Sequence, residues 1–416
     1  MPADYRAPMT ADPRDLPDTA ELRRRGSLKW TAMPDVDIAA WVAESDLGIA
    51  PAITAAVCDA VGAGLLGYMP PAVRRQLGEA CARWQLDRYG WQVDPARVHP
   101  VGDVREALRI TIDQFSRPGS PVILPTPAYM PFVTAPGAWG REVIQVPMLN
   151  GSAAGGRAAL DLDGIDRAFR AGGHLLVLVN PHNPTGRVLE RDELLAVADI
   201  VERNGGRVFA DEIHAPLVHP GARHIPYASL SDVTASHTVT ATSASKAWNI
   251  PGLKCAQVVL SNAADAAVWA RADILLTEGA STIGAVANSA AYTEGGPWLA
   301  EALGYLDGNR HSLRQALDEL APLVGYRAPD GTYLAWLDLR AALDARPGAS
   351  HADDAPEWAQ ADPGDLERRI RRQTGVAVTD GAWCGEAGRG FVRLNLAMPR
   401  PMVVEAARRI AECLDG

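Results

Sequence analysis

Six short apolar runs rich in β-favouring residues recur through the middle of the chain, at 121–125, 142–147, 174–180, 207–211, 237–243 and 255–261. Between several of them, apolar residues return every three or four positions, as in 103–115 and 191–204. Unbroken apolar runs suit strands buried on both faces. The alternation therefore predicts an α/β fold, a mostly parallel sheet covered by helices. Two earlier helices are predicted at 51–63 and 71–89, each opening on a proline that tolerates a first-turn position. The stretch 263–293 reads as one long helix-like region closed by Gly295-Gly296-Pro297. Beyond it the texture changes to helices at 297–320, near 364–374 and at 401–414, with strands at 332–339 and 390–396. This second set reads as a smaller α+β domain. Residues 1–36 are polar and rich in Pro, Asp and Arg, an arm with a short helix at 19–26, and 343–363 is a loop-like insertion. The expected organisation is an arm and part of the small domain in 1–50, a large domain in 51–293, and a small C-terminal domain in 294–416.

The bulk composition narrows the function. The chain has 416 residues, is 47% hydrophobic and 22% charged, and carries a formal charge of −10, which is ordinary for a globular protein. A net negative charge without a Lys/Arg-rich run argues against a nucleic-acid partner. No apolar run reaches the roughly 18 residues of a membrane span, and the polar start MPADYRAPMTADPRD lacks a signal core. The five cysteines, Cys58, Cys81, Cys255, Cys384 and Cys413, are scattered and form no CxxC. That pattern predicts a reduced, cytoplasmic protein with neither a disulfide frame nor a metal site. Of the 40 basic residues only Lys29, Lys246 and Lys254 are lysines. Codon bias in a GC-rich genome accounts for the arginines. A lysine retained under that bias invites a chemical reason, because Lys can lose its proton and attack a carbonyl whereas Arg stays charged.

Four polar groups fall at the carboxyl ends of predicted strands, where open α/β sheets bind ligands. They are Tyr129 in Thr126-Pro-Ala-Tyr129, Asn183 in Asn180-Pro-His-Asn-Pro-Thr-Gly186, Asp211 in Asp211-Glu-Ile-His214, and Lys246 in Ser243-Ala-Ser-Lys246. Singly, each has a plain alternative: a turn, a helix cap or a core ring. Together they fit pyridoxal phosphate. A lysine amine forms a Schiff base with its aldehyde, an ionised Asp keeps the pyridine nitrogen protonated, an Asn amide bonds the ring oxygen, and a Tyr ring stacks on the pyridine. A phosphate needs a helix N-terminus, hydroxyls and a cation. Gly102-Asp103-Val104, Ser243, Ser245 and Lys254 supply them. Asp103 adds a negative charge in that loop, and its side chain is expected to turn away.

The order Tyr129, Asn183, Asp211, Ser243-x-x-Lys246, Lys254 and Arg393 resembles a fold-type I pyridoxal-phosphate enzyme of the class I/II aminotransferase superfamily. More narrowly, the chain resembles the MalY/PatB family of cystathionine β-lyases (C–S lyases). The segments that carry this are Lys29-Trp30, Trp41–Leu47, Gly67-Tyr68, Thr126–Phe132, Asn180–Val188, Asp211–His214, His224–Leu230, Thr242–Ala256 and Phe391–Ala397. The resemblance covers nearly the whole chain, roughly residues 20–412.

The resemblance implies roles. Lys246 is the Schiff-base lysine and the base at the substrate Cα. Asp211 pairs with the ring nitrogen, Asn183 bonds the ring oxygen and can also meet substrate, His214 stands at the cofactor where many aminotransferases carry a Tyr, and Tyr129 stacks. Arg393 grips the substrate α-carboxylate, with Ala43 in the substrate wall. Tyr68 reaches the phosphate of a neighbouring subunit, which implies a homodimer with shared sites. The reaction implied is α,β-elimination of an S-substituted L-cysteine such as L-cystathionine, releasing thiol, pyruvate and ammonia. An aminotransferase on a neutral amino acid shares every cofactor contact and is the alternative, as is a specialised-pathway enzyme of the same fold. The absence of Lys or Arg between Arg271 and Arg310 disfavours a dicarboxylate aminotransferase. A non-catalytic binding protein on this fold is the alternative of another class, and the intact Lys246, Asp211 and Asn183 argue against it. Three sequence differences, Glu44, Ser45 and Leu47, and the segment Asp380–Gly385, depart from the family pattern and are expected to line the substrate side. His214, His219 and His224 lie close in sequence but lack metal-ligand spacing.

Overall fold

The computed structural model describes residues 16–149, 156–271, 275–276, 278–346 and 357–415. Among the described residues, seven strands make the main sheet: β2 (Val98–Val101), β3 (Val122–Thr126), β4 (Val143–Pro147), β5 (Leu175–Val179), β6 (Arg207–Asp211), β7 (Thr238–Thr242) and β8 (Ala256–Leu260). Their spatial order is β2-β8-β7-β6-β5-β3-β4. The strands from β4 to β7 pair in parallel, whereas β8 is antiparallel to both β7 and β2. Strands β3, β5, β7 and β8 are buried along their whole length. That is why their sequences read as continuous apolar runs rather than alternations. The edge strand β2, interrupted by Pro100, has no such run and escaped the sequence reading.

Helices cover both faces. Val104–Phe115 turns Val104, Ala107, Leu108, Ile112 and Phe115 inward, and Arg191–Arg203 does the same with Leu194, Val197, Ala198 and Val201. The expected single helix over 263–293 is two helices among the described residues, Ala263–Ala270 and Thr282–Glu294. The second has its own cap, with the Ser281 side chain accepting from the Gly284 N–H. Its Gly284 has a packing reason: a Cβ there would lie 2.1 Å from the Leu253 carbonyl oxygen.

A second sheet, β12-β13-β10-β9, is antiparallel and joins β9 (Gly325–Tyr326), β10 (Leu334–Asp338), β12 (Thr379–Asp380) and β13 (Phe391–Asn395). Helices Gly296–Leu320, Asp365–Thr374 and Arg400–Asp415 accompany it. The N-terminal arm joins this part of the molecule: β1 (Ile38–Ala39) pairs in parallel with β11 (Val376–Ala377). Of the expected insertion, 347–356 lies outside the described residues, while Arg340–Asp344 and Glu357–Gln360 flank it as short helices. No helix among the described residues is long and apolar enough to cross a membrane.

Candidate active site

One edge of the main sheet gathers the polar groups. Strands β3, β5, β6 and β7 end there and run on into Tyr129, Asn183, Asp211 itself and the Ser243–Lys246 turn. Because β8 runs the other way, its start arrives at the same edge and brings Lys254. Strand β2 opposes β8, so its end delivers Gly102 and the helix that follows. A cavity of about 380 Å³ opens over this edge, within the size range of small-molecule sites. Its lining includes Ala43, Gly102, Asp103, Val104, Tyr129, Asn183, Asp211, His214, Ser243, Ser245, Lys246, Lys254 and Arg393. The residues expected to hold cofactor or grip substrate are therefore in one cavity, except Tyr68, which is 96% exposed and lies outside it.

Lys246 Nζ donates to the Ala43 carbonyl at 3.2 Å. Burial, with the Arg393 guanidinium adding to it, brings its pKa down to about 8; Glu44 and Asp211 pull the other way. At neutral pH roughly a tenth is thus free amine, the nucleophilic form, far more than an ordinary lysine offers. Asp211 is buried, accepts the Ile213 N–H at 3.1 Å and forms no ion pair among the described residues. Burial first, and the neighbouring Glu212 second, push it up to about 7, against the Ile213 N–H and Lys246. A buried carboxylate lacking a cation is a site that a cationic ring nitrogen completes. His214 is also buried, its Nδ1 has no partner, and burial brings its pKa down to about 3, so the imidazole is neutral.

Arg393 is 2% exposed. It donates to Asn183 Oδ1 at 3.0 Å, to the Trp41 carbonyl at 3.1 Å and to Thr379 Oγ1 at 3.2 Å. With its oxygen committed to Arg393, Asn183 keeps its amide nitrogen as the end that donates. Tyr129 sits at the N-terminus of helix Met130–Ala138 with its ring edge-on to Phe132 at 5.2 Å.

Four expectations are corrected. Asp103 does not turn away. It caps helix Val104–Phe115 by accepting the Arg105 and Glu106 N–H groups, both at 3.0 Å, and meets Lys254 Nζ at 2.9 Å. These contacts bring its pKa down to about 2 against the desolvation that opposes them. The reason is local: an Asp at an N-cap finds unpaired N–H donors closer than any other. Ser243 spends its hydroxyl proton on the Cys255 carbonyl at 2.7 Å and accepts the Ser245 N–H at 3.0 Å, so it braces the turn. Glu44, Ser45 and Leu47 do not line the cavity. Glu44 caps the Lys29 N–H, Ser45 exchanges backbone bonds with the Asn249 side chain, and Leu47 is core. The segment Asp380–Gly385 is likewise behind the wall: Asp380 caps its own turn, and Cys384 is buried, its thiol pushed up to about 12.

The sequence reading missed several supports. Tyr333 donates to the Ala43 carbonyl at 3.0 Å, and Asn395 donates to the Val42 and Glu44 carbonyls, both at 2.6 Å. Asn288 accepts the Ala244 N–H at 2.9 Å, holding the turn before Lys246. Arg105, absent from the residues the sequence points to, also lines the cavity. Only Asn395 carried a local signal, two residues after Arg393. Among the described residues no cluster of His, Cys, Asp or Glu is placed to hold a metal. His219 bonds the Thr332 carbonyl and His224 faces Glu212, both away from His214's place in the cavity.

The residues fit pyridoxal phosphate: a partly deprotonated lysine, a buried carboxylate without a cation, and a helix N-terminus with a cation beside it. The family model for class I and II aminotransferases matches residues 43–410. A cystathionine β-lyase of Corynebacterium glutamicum is 36% identical over 402 residues, 96% of this chain and all of that one. The cystathionine β-lyase PatB of Bacillus subtilis is 31% identical, covering 90% of this chain and 92% of its own. Cystalysin of Treponema denticola, whose crystal structure contains pyridoxal 5'-phosphate, superposes with a TM-score of 0.85 at 26% identity, covering 96% of this chain and 98% of that one. The chain belongs to the class I and II aminotransferase family of fold-type I enzymes, in its MalY/PatB cystathionine β-lyase branch.

Proposed function

We propose that this protein is a pyridoxal-phosphate-dependent carbon–sulfur lyase. It takes an S-substituted L-cysteine such as L-cystathionine and water to a thiol, pyruvate and ammonia. The observation that carries the reading is the single cavity in which Lys246, Asp211, Asn183 and Arg393 converge. The lyase names of its relatives support it. When bound, the cofactor supplies a carbonyl carbon for amine exchange and an electron sink for the pair left at the substrate Cα.

The chain's own groups do the rest. Asp211 holds the ring nitrogen, the Asn183 amide nitrogen holds the ring oxygen, and Tyr129 covers a ring face. The helix at Val104 and the Lys254 ammonium take the phosphate, with Ser245 beside them. Arg393 grips the substrate carboxylate through a planar fork that Lys lacks. Lys246, with a pKa of about 8, accepts the Cα proton near neutral pH. Neutral His214 adds no second positive charge beside Arg393. The thiolate then leaves from Cβ as the electrons return.

The proposed arrangement extends to the whole molecule. The large domain is 51–293, and the small domain combines 1–50 with 294–416, a division supported by the pairing of β1 with β11. Two copies form a homodimer. Leu66 and Tyr68, 66% and 96% exposed, are the apolar surface that supports it. A reduced cytoplasmic setting agrees with five free cysteines.

The test is product analysis on the holoenzyme. L-cystathionine should yield pyruvate and free thiol in equal amounts. Lys246→Ala should abolish the yellow cofactor band and lower turnover about 10²–10⁴-fold. A protein that exchanges amino groups with keto acids but releases no thiol is an aminotransferase, and that result would sink the lyase reading.

A further inference from the structure

The cavity holds one cation that the proposed chemistry leaves unused. Arg105 occupies the first turn of helix Val104–Phe115 and lines the cavity with Trp41, Tyr129 and Met130. Its side chain is 50% exposed, and one of its terminal nitrogens lies 3.1 Å from Asp103. Arg393, by contrast, is buried and bonded to Asn183, Trp41 and Thr379. The two guanidiniums both act on the Tyr129 phenol: burial raises its pKa, and Arg105 and then Arg393 oppose the rise. One arginine thus stands deep in the cavity and one stands at its solvent side, with Tyr129 under the influence of both.

We infer that Arg105 is a specificity-determining residue, which recognises a carboxylate on the distal, sulfur-linked arm of the substrate. The inference rests on the lyase reading and deepens it. A substrate whose α-carboxylate is taken by Arg393 extends its sulfur arm away from the buried end, toward the open side. A guanidinium there offers the planar fork that a carboxylate matches. Asp103 shares its charge among Arg105, Lys254 and the helix N-terminus, so Arg105 is not neutralised by a dedicated partner. Half exposure lets it swing toward a ligand without breaking a buried network. The substrate class is then S-conjugates of L-cysteine with an acidic distal group, in preference to S-alkyl cysteines.

The test compares S-carboxymethyl-L-cysteine with S-ethyl-L-cysteine on the holoenzyme. Kd for each is read from the absorbance change of the bound cofactor, and pyruvate is assayed in the same samples. In the unaltered protein the acidic ligand binds more tightly. Arg105→Gln should lower that preference about tenfold, as expected for loss of one charge-assisted hydrogen bond, and Arg105→Lys should restore part of it. An equal loss of affinity for both ligands overturns the inference. So does weakened binding of pyridoxal phosphate itself in Arg105→Gln, which would make Arg105 a cofactor residue. Selective loss without any pyruvate would uphold Arg105 and reject the lyase reading, so the two failures are distinct.

Discussion

Lys29, Lys246 and Lys254 are the chain's only lysines, and their surroundings differ so much that one reagent should separate them. Lys29 is fully buried, with its ammonium 2.7 Å from Asp46. Lys254 is half-exposed and paired with Asp103. Lys246 is the one whose pKa is brought down, to about 8, because the cavity desolvates its ammonium beside Arg393. Only the free amine reacts with an acylating reagent. In cofactor-free protein, modification of Lys246 should therefore rise with pH through about 8 and then level off, well below the ordinary lysine range near 10.5. Peptide mapping by mass spectrometry reads each lysine separately. A midpoint near 10 for Lys246 would contradict the desolvated site. Lys29 should stay unmodified throughout, since reagent has no path to it.

At the scale of elements, the segment Trp41–Asp46 works as a strap between the two sheets. It has no regular structure of its own, yet its carbonyls receive Arg393, Lys246, Tyr333 and Asn395. Lys29 fastens its far end: Nζ reaches Asp46 and the Ala397 carbonyl, while Trp30 Nε1 holds the other Asp46 oxygen at 2.8 Å. Removing one member of a buried pair strands the other charge. Lys29→Met should cost about 3–5 kcal/mol of stability, seen as an earlier denaturant midpoint. Its effect on turnover should be a raised KM, because the strap carries the carbonyl that orients Arg393. Unchanged stability would show that Asp46 finds water or a second partner. Helix Thr282–Glu294 gives comparable support from the opposite side. Gly284 admits the Leu253 carbonyl, and Asn288 grips the turn before Lys246. The two loops that carry lysines into the cavity thus depend on one helix face, on a helix whose separate start is set by its own Ser281 cap.

For the molecule as a whole, the exposed Leu66 and Tyr68 bear on the proposed homodimer. A Tyr ring at 96% exposure is not part of the cavity's own lining, yet the family resemblance assigns it to a phosphate. Both hold together if a second copy completes the site. Sedimentation should give the mass of two chains, and Tyr68→Phe should weaken cofactor retention about tenfold through loss of one hydrogen bond. A monomer that retains full cofactor affinity would remove the shared-site proposal.

Much of this was legible in residue order. Buried parallel strands are apolar end to end, so six of the seven main-sheet strands could be placed from local composition. Functional groups on such sheets follow strand ends, so Tyr129, Asn183, Asp211 and Lys246 could be named from position alone. Lone-lysine scarcity pointed at Lys246 because its chemistry needs an amine. What residue order could not carry was anything that depends on a distant neighbour. The edge strand β2 exists because β8 offers it a partner. Asp103 turns inward because helix N–H donors and Lys254 lie within reach. Glu44, Ser45 and Leu47 fall behind the cavity wall because they are engaged by Lys29, by Asn249 and by the core, leaving Trp41, Val42 and Ala43 to line it. Lys29, without a role in the sequence reading, becomes the strap's anchor only when the fold brings Asp46 and Ala397 to it. Strand identity and reactive chemistry are local properties of the chain. Burial, pairing and the direction of a side chain are set by contacts between residues far apart in sequence, and those exist only once the chain has folded.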